Sequence, residues 1–311
     1  MYMDKAASPI HCILNASAGS GSPHASPQAL VDLFAAQGRQ ATVEVASSGA
    51  NLAELARRAA GSAAEIIVAG GGDGTVNCVA SALVGTSLCL GVLPMGTLNH
   101  FAKDLKIPLQ LAEAVAVIAH GQPQRVDAGE VNGRIFLNNS SLGLYPRMVR
   151  ERERLQDGGS RKWPAMVRAA RAVLQQYSQL NVDLDAGNKG RLSQRTPFVF
   201  IGNNRYQIEG WNIGSRERVD AGRLWLYLAP NVGPLGLFKL GVATVMGRTA
   251  PGDDAEIFET SQCTIQTRRK VIDVATDGEV NLMPTPLRYR IRPGALRVMV
   301  ARAAQPLPAG Q

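Results

Sequence analysis

The sequence predicts an N-terminal α/β domain built on a parallel sheet, followed by a mainly antiparallel β-sandwich domain. Three observations carry this expectation. Up to about Asp127, β-branched runs alternate with runs of helical periodicity. Beyond it, short alternating runs succeed one another at close spacing. The strands of the first half end in loops rich in Gly, Ser, Thr and Asn. The first pattern argues helices on both faces of a parallel sheet with ligand loops at the strands' carboxyl ends, the second a sandwich or barrel. The expected domains are 1–127 and 128–311, with the last strand a candidate to return to the first domain.

In the first half, residues 10–14 read as a strand, 27–37 as a helix, 41–46 as a strand and 52–60 as a helix. Residues 65–69 have the β-branched density of a buried strand, and 75–83 place Val76, Val79, Ala80 and Leu83 at helical spacing. A strand at 88–93 and a helix at 109–119 follow. Between 69 and 75 lies GGGDGT, so this unit is strand, glycine turn, helix. Glycines there permit positive φ or close approach to the main chain, and the first N–H groups of the helix suit a phosphate. Asp73 would repel a bare phosphate and becomes useful only with a metal ion or a proton transfer. Taken alone, a glycine turn needs no ligand. Here NASAGSGS after the first strand, GGGDGTVN after the third and PMGTLNHFAKDL after the fourth fall on one edge, and the set suits a polyphosphate.

In the second half, RIFLNNSSLG, LNVDLD, PFVFIGN, GRLWLYLAP, CTIQTRR, VIDVATDGE, LRYRIRPG and ALRVMVARA read as strands. A basic helical stretch at 147–177 reads as a solvated face or as a surface drawn to an anionic bilayer, with Trp163 as an interfacial anchor. The apolar run 224–247 carries one charge, Lys239, and is broken by Pro230 and Pro234, so it is not expected to span a membrane. Its part after Pro234 reads as a buried helix or a lipid-facing one.

The chain has 311 residues, 45% of them hydrophobic, which suits two globular domains and argues against disorder except at the ends. The last residues, AAQPLPAGQ, read as a loose tail. Cys12, Cys78, Cys89 and Cys263 are scattered without CxxC spacing, which predicts reduced thiols and a cytoplasmic protein. The N-terminus lacks the apolar length of a secretion signal. A net charge of +8 suits an anionic partner, and without an RNA-binding aromatic signature, zinc-finger spacing or long basic tail, nucleic acid ranks below nucleotide and acidic membrane. GxxxxGK[ST], a protein-kinase catalytic loop, a first-strand GxGxxG and a GxSxG elbow are all missing, and only four His are present.

Taken together, NASAG, GGDGTVN, LPMGTLNHFAKDLKIP, RVDAGEVNG and DGE resemble, in order, the diacylglycerol kinase catalytic family, which includes sphingosine and ceramide kinases and soluble bacterial lipid kinases. GGDGT is shared with NAD kinases and phosphofructokinases; its combination with GTxNxFA and a distant DGE is specific. The resemblance implies an α/β nucleotide domain and a β-rich lipid-substrate domain with the active site in the cleft between them. It also implies ATP and Mg2+ as donor system and a lipid hydroxyl as acceptor. By matched position, Asn15, Ala16, Ser17, Ala18 and Gly19 would hold nucleotide phosphates together with Gly71, Gly72, Asp73, Gly74, Thr75, Val76, Asn77 and Thr97, with Ser47 nearby. Asn99 would meet the substrate. Glu279 would accept the acceptor's proton beside Asp277, while Asp73 and Asp127 would join a magnesium network. Read singly, Asp127 is as consistent with a strand-end turn, and Asp277-Gly278 with a hairpin.

Two departures stand out. His100 occupies a position where many bacterial relatives have Asp, and RERVDAGRL holds only Asp220 where relatives with a second magnesium have a DDG turn. The basic balance fits transient membrane association. Diacylglycerol is the first acceptor the resemblance implies, with sphingoid base, ceramide or another glycerolipid next. NAD kinase and a catalytically silent nucleotide or lipid sensor are the competing readings.

Overall fold

The computed structural model describes residues 9–16, 26–143, 179–187, 190–209, 212–229, 233 and 256–302. The chain forms two compact units, one built from the segment up to Val126 together with the segment from Ala295 onward, the other from Asp127–Gly294. The stretches 147–177 and 234–247 singled out above lie outside the described residues, as do Ser17, Ala18 and Gly19.

The first unit runs β1 (Ile10–Asn15), α1 (Pro27–Ala36), β2 (Ala41–Ala46), α2 (Gly49–Ala60), β3 (Ile66–Gly71), α3 (Asp73–Leu83), β4 (Cys89–Pro94), α4 (His100–Asp104) and α5 (Leu111–His120). Its strands are parallel in the order β2-β1-β3-β4, and the end of β18 (Leu287–Val300) adds a further parallel strand through Arg297 and Val298 beside Cys89 and Leu90. β3 and β4 are buried along their whole length, as a strand covered on both faces must be. α1 packs with α5, and α2 with α3. Each lays an apolar stripe on the sheet, such as Val76, Val79, Ala80 and Leu83 of α3. Two helices start earlier than their apolar periodicity suggests: α2 at Gly49, because Ser48 caps it, and α3 at Asp73 rather than residue 75. α4, one turn long, has no periodicity to betray it.

The second unit is antiparallel throughout. One sheet has the order β14 (Glu256–Thr260), β13 (Leu224–Leu228), β10 (Phe198–Asn203), β7 (Asn139–Gly143), β16 (Val271–Thr276), β17 (Glu279–Pro284). The other takes the start of β18, β15 (Gln262–Thr267), β8 (Leu180–Asp185) and β9 (Arg191–Thr196), with β5 (Gln122–Val131) and β6 (Arg134–Phe136) pairing beside β18. β11 (Tyr206–Glu209) and β12 (Asn212–Arg216) form a ribbon. Leu142, Val199, Ile201, Leu226 and Val274 of the first sheet share one core with Val182, Leu184, Ile265, Leu287 and Tyr289 of the second. The expected sandwich is thus the observed one. β5, β9, β11, β12, β14 and β17 beyond Glu279 were not foreseen, since their residues are too polar or too irregular to alternate.

All four cysteines are free, and burial pushes the Cys12 and Cys263 thiols up to about 12, which makes them packing residues. Among the described residues no helix is long and apolar enough to cross a membrane.

Candidate active site

In the first unit, parallel register brings the carboxyl ends of β1, β2, β3 and β4 to one edge, with Asn15 beside Ala46, Leu14 beside Gly70, and Gly71 beside Pro94. Ala16 donates its N–H to Ala46, 3.0 Å, and Ser47 donates its own to Asn51 Oδ1, 3.1 Å, at the start of α2. Asn15 Nδ2 donates to the buried Thr75 Oγ1, 3.1 Å, tying the first strand to the first turn of α3.

The glycines here answer to packing. None of Gly70, Gly71, Gly72, Gly74 or Gly96 has a positive φ, so the expected conformational need is replaced by close approach. A Cβ on Gly71 would collide with the Thr75 side chain, and one on Gly96 with the Gly72 backbone. Gly72 caps α3 with extended backbone and no side-chain bond, so the first N–H groups of the helix are left to an outside acceptor. Val76 and Asn77 are buried within α3, and Thr97 is exposed in the loop after β4.

Asp73, the first residue of α3, accepts the His100 and Phe101 N–H groups, each at 3.2 Å, one on each carboxylate oxygen. It therefore caps α4 while standing in the first turn of α3, two positive helix ends that both favour its charge. Asn99 adopts a left-handed conformation (φ 51°). It is buried with its amide closed on Gly96, accepting from Gly96 N at 3.0 Å and donating to Gly96 O at 2.8 Å.

In the second unit a polar hub gathers the buried Asp127, Asn203 and Arg216 with the half-buried Asp277. Asp277 stands in the β16–β17 turn at φ 49°. Its Oδ2 accepts from Leu137 N (2.7 Å) and its Oδ1 from Asn138 N (2.8 Å) and Asn139 N (3.0 Å). Burial pushes its pKa up to about 6, against the opposing pull of these three bonds and of Arg216. Arg216, 6% exposed, donates to Leu137 O and Asn203 O and to Asn138 Oδ1, and lies over the Tyr206 ring. Asn203 Nδ2 bridges Leu137 O and Asp127 O. The Asp127 carboxylate, also buried, takes Gly222 N at 2.6 Å and Gly294 N at 2.8 Å. Glu279 is exposed, its Oε2 held by Arg134 Nη2 at 2.7 Å while Arg134 Nε donates to Thr276 Oγ1 at 3.1 Å.

The structure thus joins Asn15 to Thr75, Gly72 to the loop of Thr97 and Asn99, and Asp277 to Asp127 through Asn203 and Leu137. Among the described residues no three His, Cys, Asp or Glu side chains come together as a ready metal cluster. Sequence reasoning missed Arg134, Asn138, Asn203 and Arg216. The doubled Asn138-Asn139 and the lone Arg134 in an otherwise apolar run were the available signals.

The candidate residues thus fall at an uncapped helix N-terminus in an α/β unit and at a β-hairpin carrying Asp277 and Glu279 in a β-sandwich. Residues 9–131 match the diacylglycerol kinase catalytic domain, and 158–300 the YegS C-terminal NAD kinase beta sandwich-like domain. A relative from Pseudomonas aeruginosa, described as "Probable lipid kinase YegS-like", is 29% identical over 84% of this chain and 85% of its own. One of the same description from Yersinia pestis is 40% identical over 94 residues, 29% of this chain and 32% of its own. A solved diacylglycerol kinase from Bacillus anthracis shares the fold, with a TM-score of 0.69 at 19% identity over 94% of this chain and 97% of that one. Residues 9–131 belong to the diacylglycerol kinase catalytic-domain family, residues 158–300 to the YegS C-terminal one, and the chain is a kinase.

Proposed function

We propose that the protein transfers the γ-phosphoryl group of ATP to a lipid hydroxyl, with diacylglycerol the first acceptor and phosphatidic acid its product. Sphingoid base, ceramide and other glycerolipids follow. The observation that carries this is the start of α3. Gly72 leaves the helix's first N–H groups uncapped at the carboxyl edge of a parallel sheet, Asn15 and Thr75 fasten that turn, and Asp73 stands in it.

The roles follow from these contacts. The main chain from Gly71 to Thr75, with Asn15 to Gly19, Ser47 and Thr97, cradles the phosphates, and Val76 and Asn77, buried in α3, hold that turn in place. Each Asp73 oxygen accepts one N–H and keeps a lone pair, so this carboxylate fits Mg2+, which would supply neutralisation of phosphate charge. Asp127 likewise holds one loop amide on each oxygen, but it is buried where Asp73 is half-buried, so it serves to anchor the turns at Gly222 and Gly294. Asn99 acts through the loop it fastens to Gly96. Glu279 takes the hydroxyl proton as the new P–O bond forms and ADP departs, Arg134 orienting it. Asp277 holds the 137–139 backbone beneath. The enzyme works in the cytoplasm and visits a membrane surface for its acceptor.

The test is to incubate purified protein with radiolabelled ATP, Mg2+, NAD and a panel of micellar lipids. Label in diacylglycerol supports the first reading and label in another lipid redirects the acceptor. Label in NADP, or none despite measured ATP binding, overturns the lipid kinase account in favour of an NAD kinase or a silent sensor.

A further inference from the structure

β17 is the outermost strand of its sheet, and Glu279 stands at its first position. At about 3.3 Å per residue, its other end at Pro284 lies roughly 17 Å along the strand. Pro284 pairs with Val271, and Leu282 with Asp273, so these side chains share the outer face of the β16–β17 hairpin, opposite the core-facing Ile272 and Met283. Leu282 is 66% exposed and Val271 49%, and Pro284 is exposed beside them. Water-exposed branched side chains this close together on a sheet edge are a liability unless something covers them.

The turn that leads into Val271 is Arg268-Arg269-Lys270, all three exposed and none with an ion-pair partner among the described residues. The turn is also fixed. Thr267 Oγ1 (3.1 Å) and Thr285 Oγ1 (2.7 Å) both donate to Arg269 O, and Thr285 N donates to Lys270 O at 2.9 Å. Three cations are therefore held at one end of an exposed aliphatic patch. Asp273 is the single carboxylate on that hairpin face.

We propose that this face docks on an anionic lipid bilayer, with Arg268, Arg269 and Lys270 among headgroup phosphates and Val271, Leu282 and Pro284 at the acyl boundary. Charge complementarity selects this occupant: an anionic surface satisfies the cations, and only a bilayer also offers apolar depth beside them. Single-stranded nucleic acid would call for aromatic side chains among the cations, and the patch has none. The purpose of the docking rests on the lipid kinase reading, since it would hold the strand that bears Glu279 at the surface where the acceptor resides.

The test measures cosedimentation with phosphatidylcholine vesicles, with and without phosphatidylglycerol, in the absence of nucleotide. Wild type is expected to bind only the anionic vesicles, more weakly as salt rises. Each cation near such a surface contributes roughly fivefold to partitioning, so R268Q/R269Q/K270Q should bind at least about tenfold less. Leu282→Ser, which keeps every cation, should bind several-fold less. Both variants should melt within a few degrees of wild type, because none of these side chains is in the core. Undiminished binding by the triple variant overturns the proposal, as does a dimer in sedimentation equilibrium that the substitutions dissolve while vesicle binding stays intact. Charge-dependent binding by a protein without phosphotransfer activity would support the docking and sink the kinase reading. Full phosphotransfer with unchanged vesicle binding in the triple variant would do the reverse.

Discussion

Asp277→Asn isolates the proton linkage of the buried hub. The carboxyl titrates near its ordinary value of 3.8 in the unfolded chain and at about 6 in the folded one. Between those values the folded protein binds more protons than the unfolded, so this group's contribution to stability falls as pH rises through the window and is flat above about pH 7. Integrated from pH 5 to pH 7.5, the loss is about 1.4 kcal/mol. The carboxamide cannot ionise, so the variant should lack this slope. It also sets an NH2 group against the Leu137 N–H while its oxygen keeps Asn138 N and Asn139 N, an opposed donor pair costing about 1–3 kcal/mol. The variant should therefore be weaker than wild type by about 1–3 kcal/mol at pH 7.5 and by roughly a further 1.4 kcal/mol at pH 5. Denaturant midpoints followed by tryptophan fluorescence at both pH values give the comparison. If the variant keeps the wild-type difference between the two pH values, the slope arises elsewhere and Asp277 is not the proton-linked centre of the hub.

Three further outcomes are expected. Glu279→Gln should lose turnover and keep nucleotide affinity, measured by initial rates and by calorimetric titration; normal turnover would refute its role as base. Gly96→Ala forces a methyl into the Gly72 backbone, so stability should fall by about 1–3 kcal/mol and ATP affinity with it, read from thermal melts and the same titration. Arg216→Met takes the guanidinium donor from Asn203 O and Asn138 Oδ1, leaves Leu137 O with Asn203 Nδ2 alone, and removes the positive charge facing Asp277. A loss of about 3–5 kcal/mol in a urea titration is expected, with the Asp277 midpoint moving upward.

The α/β half was legible because its signal is local. Every long strand and helix of the first unit rests on a run of apolar residues, unbroken in β3 and β4 and of period 3.6 in the helices, and the register of a parallel sheet then carries the loop ends to one edge. α4 was hidden because five residues cannot show a period, and its true determinant, the Asp73 carboxylate, is 27 residues away in sequence. The sandwich was legible as a class. β9 and β12 were not, since Arg191, Arg195 and Arg216 break the apolar alternation, even though each strand pairs with the one just before it.

The candidate site shows the same division between type and use. Sequence could mark Asp73, Asp127 and Asp277 as acids near turns, because carboxylates beside glycines are rare enough to notice. It could not say that three carboxylates of one chemistry would be spent on main-chain N–H groups from His100, Gly222 and Leu137 respectively. Such bonds depend on where a distant backbone ends up, and no local pattern encodes that. Among the four acids singled out, Glu279 alone is fastened by a side chain, the half-buried Arg134, and so can turn toward a hydroxyl without leaving a buried amide unpaired. The three fixed carboxylates set positions, and the one with freedom to move is the one suited to accept a proton.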